Sequence, residues 1–221
     1  MNIRICLLFI TLAILQSCSD KNNDKAGSGD SLAIKDTSRS SQETGMPEPA
    51  YKKYELRSGI IHFTVSGKDP RSSKIVFFDE FGNKEVSFIY SKGILVEKWV
   101  NSNDGSFYTL DYNTQTGAKR KASRAGTEER FDVEDMPVEM QKENKVRQEK
   151  DTMYAGKPCK VYSMESGGIK ARKGGWAHIM LFLSTEVADF KFRTEAVSIQ
   201  ENAAIPDSVY TIPGNFKVKE F

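Results

Sequence analysis

The chain has 221 residues, with 32 Lys plus Arg against 30 Asp plus Glu and a formal charge of +2. That balance argues against a whole-protein attraction for nucleic acid. Two His and three Cys offer little for a metal site, while thirteen Phe and eight Tyr favour strands, and no cofactor is expected.

Residues 1–17 read as a signal peptide. Arg4 gives a positive start, Ile5 to Leu15 an apolar run, and Leu15-Gln16-Ser17-Cys18 a small-residue cleavage site. The run is shorter than the roughly 20 residues a membrane-spanning helix needs. Cys18 is the predicted lipidation site, so membrane lipid is the first expected partner. Cys6 leaves with the signal, which makes Cys159 the single free thiol of the mature chain. It stands in the turn-like Gly156-Lys157-Pro158-Cys159-Lys160-Val161-Tyr162 and is expected to be a buried structural cysteine rather than a nucleophile.

Residues 18–50 carry few large apolar side chains and close with Pro47-Glu48-Pro49. Such composition predicts a disordered tether, with a reach of about 30 Å if it behaves as a flexible coil. From residue 51 to 221 the texture is that of one β-rich domain. Ile61, Phe63 and Val65 line a first strand, and Ile75 to Phe78 form a second that ends at Glu80-Phe81-Gly82-Asn83. Val86, Phe88 and Tyr90 line a third strand, and Leu95 to Val100 form the fourth. Asn101 to Gly105 is a hairpin loop, and Tyr108, Leu110 and Tyr112 line a fifth strand. Asp135-Met136-Pro137 before Val138, Met140 and Val146 predicts a short helix over a surface or a sheet opening.

Strands resume at about 148–154 and 159–164. A Gly-rich basic loop around Gly167 to Gly175 then precedes an apolar strand from Trp176 to Leu183. In that strand Trp176, His178, Met180 and Phe182 are expected on one face, with a second apolar face opposite. A strand apolar on both sides lies between two layers, or between a layer and an apolar ligand. Phe190 and Phe192 start a further strand whose phase shifts to Val197 and Ile199, which predicts a bulge near Glu195. Ile205 to Pro213 reads as a closing turn.

Neither glycine cluster has the spacing of a phosphate loop, and no nucleophile elbow or paired-carboxylate arrangement is present, so catalysis has no support. Candidate ligand-binding residues are Phe63, Phe77, Trp99, Trp176, His178, Met180 and Phe182. Two basic clusters, Lys119, Arg120, Lys121 with Arg124, and Lys170, Arg172, Lys173, are the candidate membrane contacts.

Gly59-Ile60-Ile61-His62-Phe63, Phe77-Phe78-Asp79-Glu80-Phe81-Gly82-Asn83, the Gly156 to Tyr162 turn, the Trp176 to Leu183 strand and the Ile205 to Pro213 ending together resemble a family of uncharacterised Gram-negative lipoproteins. The layout also resembles the LolA/LolB lipoprotein carriers. That resemblance implies a mainly β (α+β) fold: a strongly curved antiparallel sheet or half-barrel of about 9–11 strands, with one or two short helices covering the concave side. It also implies a monomer at the outer membrane, since Ser19 lacks the acidic character that retains many lipoproteins at the inner one. Two functions follow as expectations. One is a non-catalytic binder of an apolar or acyl ligand, or a handler of envelope lipids or lipoproteins. The other is a lipoprotein with a self-filled core that docks an envelope protein.

Overall fold

Alternating apolar and polar residues make most of this chain extended, and two-residue turns fold the strands into hairpins. The computed structural model describes residues 51–67, 72–102, 104–122 and 130–221. The signal peptide, Cys18, the tether and Arg124 lie outside the described residues.

β1 (Gly59–Ser66), β2 (Ser72–Asp79), β3 (Lys84–Ser91), β4 (Ile94–Asn101), β5 (Ser106–Asp111) and β6 (Thr116–Lys121) form an antiparallel meander. A second run holds β7 (Arg147–Gln148), β8 (Thr152–Tyr154), β9 (Lys157–Ser166), β10 (Ile169–Trp176), β11 (Ile179–Val187) and β12 (Phe190–Glu201). β12 pairs antiparallel with β1 and so fuses the two runs, while β13 (Lys217–Glu220) adds to β6 in parallel. The result is one open curved sheet of thirteen strands, in the order β13-β6-β5-β4-β3-β2-β1-β12-β11-β10-β9-β7, with β8 also on β9.

The mainly β architecture agrees with the sequence reading, and the strand count exceeds it. β6 and β10 were expected as turn or loop, β13 was not expected, and the strand at 148–154 divides into β7 and β8. The expected bulge is present but lies at Val197, because Phe63 pairs with Ala196 and His62 with Ser198. The apolar run Trp176 to Leu183 is not one strand. Ala177 and His178 both take positive φ and form a two-residue hairpin turn between β10 and β11.

The expected short helix is present and takes the first of its two expected places, on the surface. α1 (Val138–Glu143) has no buried residue, and Pro137 precedes it without a side-chain cap. It therefore does not cover the sheet. Irregular chain does that work instead. Phe131 and Val133, just before α1, pack on Met180, Tyr162, Met164 and Leu183. A larger core joins Ile61, Phe63, Val76 and Phe78 of β1 and β2 to Tyr154, Cys159, Val161, Ile179, Leu181 and Phe182.

Gly174 and Gly175 make both contacts possible from neighbouring positions of β10. A Cβ on Gly175 would lie 2.0 Å from the Phe131 ring, and one on Gly174 would lie 3.0 Å from the Tyr154 ring. Side-chain-free positions in a strand let aromatic rings lie flat on it. These glycines are strand packing sites, not a flexible loop.

Residues 203–216 run along β3–β6 on the face that carries the buried Val86, Val100 and Leu110. Lys98, also buried, donates to the Thr211 carbonyl at 2.7 Å and faces the Phe88 ring at 5.2 Å. Burial pushes its ammonium below the usual lysine range. Phe216 meets Tyr112 edge to face at 5.0 Å.

At the other side, residues 51–58 form a strap. Tyr54 N–H donates to the Phe81 carbonyl at 2.9 Å, and Glu55 N–H donates to the Ala177 carbonyl at 3.2 Å. Lys53 is ion-paired with Glu85 of β3, and the Tyr54 hydroxyl donates to the same carboxylate at 2.7 Å. Both charged side chains are at most 5% exposed. Removing one member of such a pair leaves the other charge buried alone, at a cost of about 3–5 kcal/mol. Glu85→Ala is therefore expected to lower unfolding free energy by about that amount in a urea titration, and Lys53→Met with Glu85→Leu to recover most of it. A loss below about 1 kcal/mol for the single variant would show the pair to be dispensable.

Candidate functional site

The seven apolar candidates are distributed among distinct settings. Phe63 is 3% exposed inside the larger core, with the Lys74 ammonium 5.0 Å from its ring centre. Phe182 stacks on Tyr154 with ring centres 4.7 Å apart and planes 4° from parallel. Such a pair contributes about 0.5–1.5 kcal/mol beyond area burial. Trp176 is half-buried against the same core, and Lys157 sits 4.6 Å over its ring. Met180 belongs to the smaller cluster, against Phe131 and Val133.

The other three stand elsewhere. Phe77 alternates with the buried Val76 and Phe78, so it faces the other side of β2, where Phe88 meets it edge to face at 5.7 Å. Trp99 lies on β4, and its indole N–H donates to Glu97 Oε2 at 3.0 Å. His178 is at the β10–β11 hairpin tip. Its Nε2 is 3.5 Å from Glu55 Oε1 and its Nδ1 is 3.9 Å from Asp135 Oδ2. The expectation that Trp176, His178, Met180 and Phe182 share one strand face therefore fails. A turn without glycine or asparagine was invisible inside an unbroken apolar run.

The two basic clusters both lie on strands. Lys119, Arg120 and Lys121, expected on a loop or strand end, form the last three residues of strand β6. Lys119 bridges to Glu220 at 3.0 Å, and Arg120 stacks 4.7 Å over Phe107. Lys170, Arg172 and Lys173 lie within strand β10, eight strand positions away along the sheet order, or about 38 Å along its surface. Strand alternation divides this second cluster. Lys173 shares its face with Tyr162 and approaches Asp132 at 3.7 Å, while Lys170 and Arg172 point to the opposite face.

On that opposite face a groove of about 300 Å³ runs between β7, β9, β10 and β11. Lys145, Arg147, Lys170 and Arg172 line it, with the hydroxyls of Ser163 and Ser184 and the carboxylates Glu165 and Glu186. Glu149 Oε2 accepts from Arg172 Nε at 3.0 Å and from its Nη2 at 2.6 Å. Those hydrogen bonds hold the Glu149 carboxyl below its ordinary range. The alternation Lys170-Ala171-Arg172 was the available signal for this groove, and it is informative only once the segment is known to be a strand.

Cys159 is fully buried, and its thiol donates to the Lys157 carbonyl at 3.5 Å. Burial pushes the thiol up to about 11. Among the described residues no cluster of His, Cys, Asp and Glu is arranged to hold a metal, and no helix is long and apolar enough to cross a membrane.

No protein-family model and no curated protein sequence matches the chain. Solved structures do. An uncharacterised conserved protein from Thermus thermophilus superposes with TM-score 0.50 at 10% identity, over 76% of this chain and 93% of that one. MucB superposes with TM-score 0.52 at 11% identity, over 75% of this chain and 62% of that one. MucB in complex with MucA(peri) gives TM-score 0.51 at 10% identity, over 76% of this chain and 58% of that one. The chain thus spans about three-fifths of MucB, and at these identities the shared property is the fold. A putative outer membrane lipoprotein-sorting domain from Vibrio parahaemolyticus overlaps at TM-score 0.35 and 8% identity, over 69% of this chain and 88% of that one.

A neutral, buried thiol is a poor nucleophile. In a thiol-labelling experiment at neutral pH, read by peptide mass mapping, Cys159 is expected to stay unmodified in the native chain and to react fully in urea. Native labelling at the rate of a free cysteine would contradict the burial.

Proposed function

We propose that the chain is an exported, lipid-anchored domain of the cell envelope that docks a partner protein, without covalent catalysis. One observation carries the choice over an acyl-ligand carrier. The strand that read as apolar on both faces finds both partners within its own chain, Tyr154 against Phe182 on one face and Phe131 with Val133 against Met180 on the other. Those side chains occupy the places an acyl chain would need.

A protein partner suits what is left on the surface. The sheet is open, so β13 at one end and the short β7 and β8 at the other carry edges that offer backbone N–H and C=O groups to an added strand. MucB, which shares this fold, crystallises with MucA(peri), and that supports a protein ligand for a curved sheet of this kind. The anchoring rests on the sequence around Cys18, and the outer membrane is the proposed site because Ser19 follows it.

Two measurements test the proposal. Cys18→Ser is expected to move the protein from the membrane fraction to the soluble fraction, and retention in the membrane would refute lipid anchoring at this residue. Native mass spectrometry of protein isolated gently from membranes is expected to show a stoichiometric protein complex without bound fatty acid. Stoichiometric fatty acid, together with a rise in melting temperature on adding it, would reinstate the carrier reading.

A further inference from the structure

The groove between β7, β9, β10 and β11 is a polar concavity that the packing of the domain does not use. Its charges do not balance. Lys145 pairs with Glu165 at 3.3 Å, and Lys191 at its margin pairs with Glu186 at 2.9 Å. Arg172 is held by Glu149, while Lys170 stands in register between Glu165 and Glu186. Five cations therefore face three carboxylates, and Arg147 has no carboxylate partner among the described residues. The excess of two positive charges matches the roughly −1.5 to −2 of a phosphate monoester at neutral pH.

The arrangement also has directional donors. Arg147, Ser163, Arg172 and Ser184 form a single row across four neighbouring strands, since Arg147 pairs with Ser163, Ser163 with Arg172, and Arg172 with Ser184. Guanidinium and hydroxyl groups alternate along it, both donor types suited to phosphate oxygens, with Arg172 and Ser163 also bonded to Glu149. The carboxylate of Glu149 fixes Arg172 in orientation, which lowers the entropy lost when an anion binds.

One end of the groove says where such a phosphate comes from. One residue beyond Lys170 and Glu186, at the hairpin tips and on the opposite face of the sheet, Ile169 pairs with Val187 and Val187 with Phe190. Val187 is 37% exposed and Phe190 is 44% exposed. Hairpin ends that carry basic side chains on one face and exposed apolar ones on the other can meet head groups and the upper acyl region together when the strand ends point at a bilayer.

We propose that the groove takes the phosphate of an anionic membrane lipid while the Val187–Phe190 tip rests against the bilayer. The proposal rests on the membrane-anchored reading for the presence of a bilayer nearby. It assigns the contact to Lys170 and Arg172 with Arg147 and Lys145, and excludes Lys173 and the β6 cluster.

The experiment uses the full mature chain with Cys18→Ser, so that no acyl anchor contributes and failure here is separable from failure of anchoring. Co-sedimentation is measured with phosphatidylcholine vesicles and with the same vesicles containing phosphatidic acid. The expected result is binding only to the second kind, weakened on the order of tenfold or more by Arg147→Ala with Lys170→Ala, two exposed positions near the surface. Lys119→Ala with Arg120→Ala on β6 is expected to leave binding unchanged, and Phe190→Ser to weaken it. Equal binding to both vesicles, or binding indifferent to Arg147 and Lys170, overturns the proposal. Full competition by inorganic phosphate at millimolar concentration assigns the groove to a soluble anion and overturns the lipid source. Retention on an acidic polypeptide with no vesicle binding overturns it in favour of an acidic protein partner.

Discussion

A sheet of thirteen strands that has, among the described residues, one six-residue α-helix and two short 3-10 turns has two faces to bury and almost no regular structure to bury them with. Every other feature of the domain answers that constraint. Three irregular stretches act as covers: the strap at 51–58, the segment around Phe131 and Val133, and the crossing at 203–216. Each brings one or two large side chains, among them Tyr54, Phe131 and Phe216, and each leaves backbone groups that no helix or strand satisfies. Polar locks hold the covers down at their margins. Lys53 and Tyr54 close on Glu85, Lys160 and Tyr162 close on Glu134, and Lys98 closes on the Thr211 carbonyl.

The locks explain why so many lysines lie half or fully buried in a domain whose net charge is small. A buried ammonium is costly unless a carbonyl, a carboxylate or an aromatic face receives it. Here Lys53, Lys74 and Lys98 all lie beneath the surface, over Tyr54, Phe63 and Phe88. The aromatic residues that looked like a ligand lining thus do two internal jobs, filling the core and facing the cations that pin the covers. Little of that set remains for an external apolar ligand. Among the described residues the surface that remains includes two open sheet edges and a basic groove whose strands end in exposed apolar residues.

Legibility differed sharply between elements. The meander from Ile61 to Tyr112 was readable because period-two alternation and the turns at Glu80 to Asn83 and Lys92-Gly93 are local signals. The bulge in β12 was readable within two residues, because a shift of apolar phase cannot be accommodated any other way in a strand. β10 was not readable, since Gly174 and Gly175 have no side chain to declare a face and their neighbours are basic. The Ala177-His178 turn was hidden for another reason, because apolar residues stand on both sides of it, Trp176 before and Ile179 to Leu183 after, and positive φ at Ala and His has no composition mark. β13 is a four-residue strand whose pairing with β6 depends on a partner about a hundred positions away in sequence.

Alone, the sequence determined the class of fold, the burial of Cys159 and the expectation of an exported chain with a lipid-bearing Cys18. These follow from local composition and periodicity, which a chain carries whatever its tertiary contacts. The tertiary structure decided which aromatic residues are spoken for and which cations share a surface. Both depend on strand register and alternation, where a single residue's shift sends a side chain to the opposite face. That is why Lys173 leaves the basic cluster its sequence neighbours form, while Arg147 joins it from a strand more than twenty residues away.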